Sequence, residues 1–224
     1  MKKVFSLVLT SILIAAAGCS SVQVDEKDPA SLFKDAEAEI ASDHYIIAID
    51  KLRAIKNKFP YSSFAAESQL RIADVYYIQE LFPEAAANYQ AFKDLHPKNP
   101  KVPYAMLQIG KSYFRDAPTL IERDLSPLKK AFDAYQEYLS RYPDSPESTT
   151  ARKDVGEIRK RLAEKELLIG DFYFRRELYQ AAEPRYEKVV QNFPDTEEAK
   201  IAAGKIADIQ KKSQAVGDTK NHGF

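Results

Sequence analysis

The 224-residue chain balances 33 Lys and Arg against 33 Asp and Glu. A formal net charge of zero provides no basic excess for nucleic acid and no polybasic membrane patch. Its single cysteine excludes an internal disulfide, and seven glycines beside twelve prolines argue for sharply stopped helices rather than long flexible loops, an all-α class.

In chain order, Lys2 and Lys3 precede the apolar run Val4 to Ala17, and small residues lead into Cys19. This is the layout of a secretory signal, too short to cross a bilayer, which takes about 20 residues. Ala17-Gly18-Cys19 resembles the bacterial lipobox, with Ala16 where leucine is usual. The alternative is ordinary cleavage near Ala17 with Cys19 left as a free thiol. The resemblance implies a covalent diacylglycerol and acyl lipid on Cys19 and no other cofactor. Ser20, in place of an aspartate, implies sorting to the outer membrane on its periplasmic face. Residues 1–18 are then a cleaved signal peptide and 19–28 a lipidated flexible linker.

A repeat is written in the proline spacing. Four segments end in Phe59-Pro60, His96-Pro97, Tyr142-Pro143 and Phe193-Pro194. Twelve residues before each proline stands an alanine: Ala48, Ala85, Ala131, Ala182. Eight before it stand Leu52, Tyr89, Tyr135 and Tyr186, and five before it Ile55, Phe92, Tyr138 and Val189. A small residue precedes each unit (Ala36, Ala73, Gly110, Gly170). The ladder resembles the tetratricopeptide repeat, a helix-turn-helix unit in which small residues let helices A and B approach and aromatics fill the space beside the crossing. The proline stops helix B by pushing its predecessor out of the helical region.

The terminal prolines stand 37, 46 and 51 residues apart. The second spacing holds an insertion from Asp116 to Leu125, after which Ser126-Pro127 reads as N-cap and first-turn proline. The third holds an extra helix, about Ser148 to Leu168, fused into the next helix A. Pro184 falls inside its helix and should bend it. The expected fold is an α-solenoid of about five repeats: 29–103 for repeats 1 and 2, 104–147 for repeat 3 with its insertion, 148–212 for repeats 4 and 5, the last helix ending near Lys212, and 213–224 as a disordered tail. Helix A faces of the first two repeats should line a concave, mostly apolar groove carrying Phe33, Glu37, Ile40, Leu70, Asp74, Tyr77 and Ile78, suited to an extended or helical peptide.

Catalytic chemistry is missing from the pattern. His44, His96 and His222 stand far apart, with no HExxH and no cysteine partner for a metal. There is no glycine-rich phosphate loop and no GxSxG elbow. The expectation is a binding scaffold, not an enzyme.

Longer motifs carry a family resemblance. Cys19, Lys58-Phe59-Pro60, Tyr76-Tyr77, Arg123-Asp124-Leu125-Ser126 before Ala131-Phe132, Tyr142-Pro143-Asp144-Ser145 and Lys160-Arg161-Leu162 occur in the order and spacing of the BamD family. This family, also written YfiO or ComL, comprises tetratricopeptide lipoproteins of the β-barrel assembly machine. The resemblance covers nearly the whole chain after the signal. It implies N-terminal repeats that receive unfolded outer-membrane proteins and C-terminal repeats that dock a POTRA domain of a BamA-like partner. The family's docking arginine on the last helix B matches Arg185, with Tyr186 beside it, and other assembly lipoproteins are further candidate partners. Two rivals share the lipoprotein and repeat features. A pilotin for secretin or type IV pilus assembly has shorter repeats than the spacing from Pro97 to Pro143 allows. A periplasmic envelope coordinator carries an N-terminal coiled coil for which residues 20–30 leave no room.

Overall fold

The computed structural model describes residues 28–221, with side chains through Ser213; Cys19, the signal segment and the last three residues lie outside the described residues. Among the described residues there are nine helices and no strand: α1 (Pro29–Ala41), α2 (Tyr45–Lys58), α3 (Ser63–Ile78), α4 (Phe82–Leu95), α5 (Val102–Asp116), α6 (Ser126–Arg141), α7 (Ser148–Phe174), α8 (Tyr179–Asn192) and α9 (Glu197–Asn221). Each helix packs on the next in the chain, and α1 also meets α3, α5 meets α7 and α7 meets α9. The result is a stack of helical hairpins, the all-α tetratricopeptide solenoid.

Local chemistry sets the ends of the helices. The Asp28 carboxylate caps α1, accepting from the Ala30 amide at 2.9 Å and the Ser31 amide at 3.1 Å, with Pro29 in the first turn, where an amide would have no partner anyway. Helices α2, α4, α6 and α8 stop at the residue before a proline. Phe59, His96, Tyr142 and Phe193 take φ between −126° and −133° with ψ between 46° and 60°, outside the helical region that the following ring forbids.

The ladder is the core. All four alanines and the large residues four positions after them, Leu52, Tyr89, Tyr135 and Tyr186, have no exposed surface, and Ile55, Phe92, Tyr138 and Val189 are at most 1% exposed. Two of the small positions need to be glycine. A Cβ on Gly110 would lie 2.7 Å from the Tyr135 ring, and one on Gly170 would lie 2.6 Å from the Tyr186 ring. The two helices of these hairpins meet with a tyrosine face laid directly on backbone.

Three of the four connections from helix A to helix B, all but the α5–α6 insertion, share one geometry. Asp43, Glu80 and Glu177 have φ of 59°, 59° and 61°, and the next amide reaches back five residues, His44 to the Glu39 carbonyl, Leu81 to Tyr76 and Leu178 to Tyr173. This closure puts a left-handed residue just after the helix, usually glycine. A side chain there costs about 1–2 kcal/mol, and glycine's extra freedom when unfolded offsets about 0.4–1 kcal/mol. Glu177→Gly is therefore expected to stabilise the protein by about 0.5–1 kcal/mol, read as a higher denaturation midpoint. A lower midpoint would mean that the acidic side chain itself holds the turn.

Two details differ from the sequence reading. Helix α6 begins at Ser126, with Leu125 at the cap position and no side-chain cap. Asp124 does the local work instead, accepting from the Ser126 amide at 3.0 Å and hydroxyl at 2.7 Å, because an aspartate two residues ahead reaches the same amide that a serine cap would leave free. Helix α9 continues beyond Lys212 to Asn221.

Helix α7 is one 27-residue element, about 40 Å long, as the fused helix was expected to be. Ala151 and Ile158 in its first half belong to the core shared with α3–α6, while Ala163 in its second half belongs to the core of α8 and α9. It also straps the insertion. The Lys165 ammonium donates to the carbonyls of Glu122 at 2.9 Å and Arg123 at 2.7 Å, and the Arg161 guanidinium donates to that of Pro118.

Candidate partner-binding surfaces

The seven residues expected to line an N-terminal groove separate into three groups. Ile40 and Leu70 are 8% and 3% exposed and sit within the core clusters, so neither lines an open face. Ile40 stands four residues after Ala36 and Leu70 three before Ala73, which places each on the stripe facing helix B.

Glu37 and Asp74 follow the small residues directly and are held in a polar seam. The Arg71 guanidinium donates to both Glu37 oxygens, at 2.6 and 2.7 Å. Asp74 Oδ1 accepts the Tyr89 hydroxyl at 2.7 Å and the Tyr104 hydroxyl at 2.8 Å, and its other oxygen is 3.6 Å from Arg71. Burial and then the Asp74 charge raise both tyrosine hydroxyls above their ordinary range, so they stay protonated donors. The seam runs through α1, α3 and α5, fixing three helices A side by side. At these positions the charges expected within a mostly apolar face are tied into a network of carboxylate, guanidinium and hydroxyl.

Phe33 and Tyr77 are half-buried, the first 5.6 Å from the Phe64 ring and the second edge-on to Phe82 at 5.4 Å. Ile78 alone of the seven is well exposed, at 47%.

At the C-terminal end the two proposed contact residues part company. Tyr186 has no exposed surface, lies on Gly170 and donates its hydroxyl to Asp171 at 2.7 Å. It is withdrawn as a partner contact, because it belongs to the core ladder at the same position as Leu52, Tyr89 and Tyr135. Arg185, its neighbour, is rotated about 100° around the helix and is half-exposed. Its guanidinium donates to Glu166 at 3.1 Å, and the Lys188 ammonium donates to the other oxygen of that carboxylate. Burial raises the Glu166 carboxyl, but hydrogen bonds from Lys188 and Arg185 outweigh it, and the group ionises below the ordinary carboxylate range. With two cations on one mostly buried carboxylate, either can leave without stranding the charge.

Several exposed apolar side chains were not singled out from the sequence. Ile46 (77%), Leu81 and Leu178 flank the turns from helix A to B, Tyr61 and Leu95 flank those from B to A, and Phe172 lies under the Arg176 guanidinium, 3.6 Å from its ring centre. Leu178 and Ala181 form a cleft with Tyr179 and Lys212. All of these fall between ladder positions, so a search by repeat period passes over them. Among the described residues no three His, Cys, Asp or Glu side chains cluster as metal ligands do, and no helix is long and apolar enough to cross a membrane.

Comparison with known proteins agrees with this architecture along its length. A family model described as YfiO, outer membrane lipoprotein, matches residues 25–220. The outer membrane protein assembly factor BamD of Vibrio cholerae serotype O1 is 30% identical over 204 residues, 86% of this chain and 83% of its own. That of Neisseria meningitidis serogroup A is 27% identical over 241 aligned positions, covering 98% of this chain and 89% of its own. A ladder of buried small and aromatic residues, the insertion strapped to a long α7 and a match spanning nearly every described residue lead to one assignment: the chain belongs to the YfiO family of outer membrane lipoproteins.

Proposed function

We propose that this protein is a non-catalytic scaffold for assembling β-barrel proteins into the outer membrane. It is held at the periplasmic face by an acylated Cys19. Its N-terminal repeats receive unfolded outer-membrane protein segments, and its C-terminal repeats dock a POTRA domain of a BamA-like partner. The observation that carries the reading is the match along nearly the whole chain to relatives named as outer membrane protein assembly factors. The shared Glu166 site supports the docking half. Arg185 can swing to a carboxylate on a partner while Lys188 keeps Glu166 neutralised, so the interface gains a charged hydrogen bond without uncovering a buried anion.

The test is binding of a POTRA-containing fragment by titration calorimetry. Arg185→Glu is expected to weaken it about thirty-fold, the lower end of the effect of reversing a charge in a close pair. Thermal stability should fall only modestly, since Lys188 stays on Glu166 and the new carboxylate, on a half-exposed position, can turn to solvent. Unchanged affinity would remove Arg185 from the interface. In cells, depletion should lower many outer-membrane barrels together, whereas loss of a single secretin would favour a pilotin.

A further inference from the structure

In the first two hairpins the charges left without a partner differ between the two edges. Helices α1, α3 and α5 all begin on one edge: the Phe33 ring is 5.6 Å from Phe64, and Lys101 pairs with Glu67 at 3.1 Å. The α2–α3 and α4–α5 turns therefore lie beside Asp28, where the described chain begins. On this edge Tyr61 is fully exposed and Leu95 is 67% exposed. Lys58 and Lys98 project there, exposed and with no ion-pair partner among the described residues, while the two exposed carboxylates nearby are engaged, Asp28 as the cap of α1 and Asp94 by the Gln90 amide. The opposite edge presents Asp43, Asp50, Glu80 and Glu84, all exposed, around Ile46, with Asp50 paired to Arg53 at 3.7 Å and Glu80 to Arg115 at 3.3 Å, so that Asp43 and Glu84 are left without a cation among the described residues. A helix C-terminus accounts for Lys58. It accounts neither for Lys98, beyond the end of α4, nor for a tyrosine that packs on nothing.

The nine residues from Cys19 to Asp28 span at most about 30 Å, and α1 sets the acidic edge a further 20 Å or so away. We propose that the basic edge, carrying Tyr61, Leu95, Lys58 and Lys98, rests on an anionic lipid surface. The tyrosine ring and the leucine sit at headgroup depth, and the two ammonium groups lie against lipid phosphates. This inference rests on the lipid-anchor reading of Cys19. An acyl tether supplies the proximity and the edge supplies the orientation, since exposed aromatic and basic groups near a tether add to its hold. The groove seam of Glu37, Arg71 and Asp74 would then face along the membrane, with the C-terminal repeats reaching sideways from the anchor.

The chain has no tryptophan and one cysteine, which makes the test direct. Residues 19–224, which retain every described residue, are coupled through Cys19 to a maleimide lipid in vesicles containing phosphatidylglycerol and brominated acyl chains. Tyr61→Trp fluorescence should shift to the blue and be quenched, while Ile46→Trp, on the acidic edge, should not. Changing Lys58 and Lys98 to Gln, or using phosphatidylcholine vesicles alone, should reduce the quenching by about half or more. Both tryptophans replace exposed side chains, and an unchanged helical circular dichroism spectrum verifies folding. Quenching at Ile46→Trp equal to or greater than that at Tyr61→Trp, or no quenching at Tyr61→Trp, would overturn the proposal. Equal quenching on phosphatidylcholine would overturn the part played by the lysines. The mass of the protein isolated from cell envelopes separates the two readings: an unacylated Cys19 removes the anchor and the proposal with it, whereas an acylated chain that fails the vesicle test removes the orientation alone.

Discussion

Tyr186→Ala is expected to destabilise the C-terminal repeats by about 3–5 kcal/mol, the range for truncating a fully buried aromatic. Its ring covers Gly170 and stacks edge-on with Phe174 at 6.3 Å, and its hydroxyl ends on Asp171. Tyr186→Phe keeps the ring and loses one hydrogen bond, about 1 kcal/mol. Urea denaturation followed by circular dichroism should separate the two variants clearly. The same pair decides whether Tyr186 has any direct role in docking. If packing is its only role, the Phe variant binds a POTRA fragment as well as the unaltered protein. A Phe variant that folds normally and fails to bind would return the hydroxyl to the interface.

The second large effect has an unexpected sign. Glycine inside a helix is ordinarily worth replacing, because alanine gains about 1 kcal/mol in propensity. Gly156, where an added Cβ would meet nothing within 4 Å, should behave in that way. Gly170→Ala should instead cost about 1–3 kcal/mol, the range for overpacking a core, because its Cβ would land 2.6 Å from a ring that is pinned at its hydroxyl. The cost should shrink when Tyr186 is changed to Leu as well, which recreates the pairing of Ala36 with Leu52 in the first repeat. A double-mutant cycle measures this coupling, and additive effects would show that ring and glycine do not press on one another in solution.

The ladder could be read in advance because it repeats. Four copies of one spacing identify a buried stripe whatever the helices pack against, and the same spacing placed Tyr186 in the core. The resemblance-based reading put Tyr186 on a surface, and the periodicity was the better guide. The groove fared differently. Ile40 and Leu70 were assigned to it by the helix they belong to rather than by their phase relative to Ala36 and Ala73, and a quarter-turn separates a lining residue from a core residue. Glu37 and Asp74 were visible as charges, but their partners lie on other helices, Arg71 on α3 and Tyr104 on α5. Separations of about thirty residues between such partners carry no local signal.

What the sequence by itself determined is the class, the repeat and the ends of each helix B that a proline marks. These follow from rules acting within a few residues: proline forbids helix before itself, a stripe every three to four positions must be buried, and a small residue marks a close crossing. Only the tertiary structure decided which charges are partnered. Tyr135 finds its acceptor on Asp154 of α7 at 2.8 Å because Lys111, not an acid, follows Gly110, and Lys93 of α4 meets Glu137 of α6 only once the hairpins stack in register. Burial obeys the period along one helix, whereas charge pairing obeys distances between helices, and those distances exist only in the folded stack.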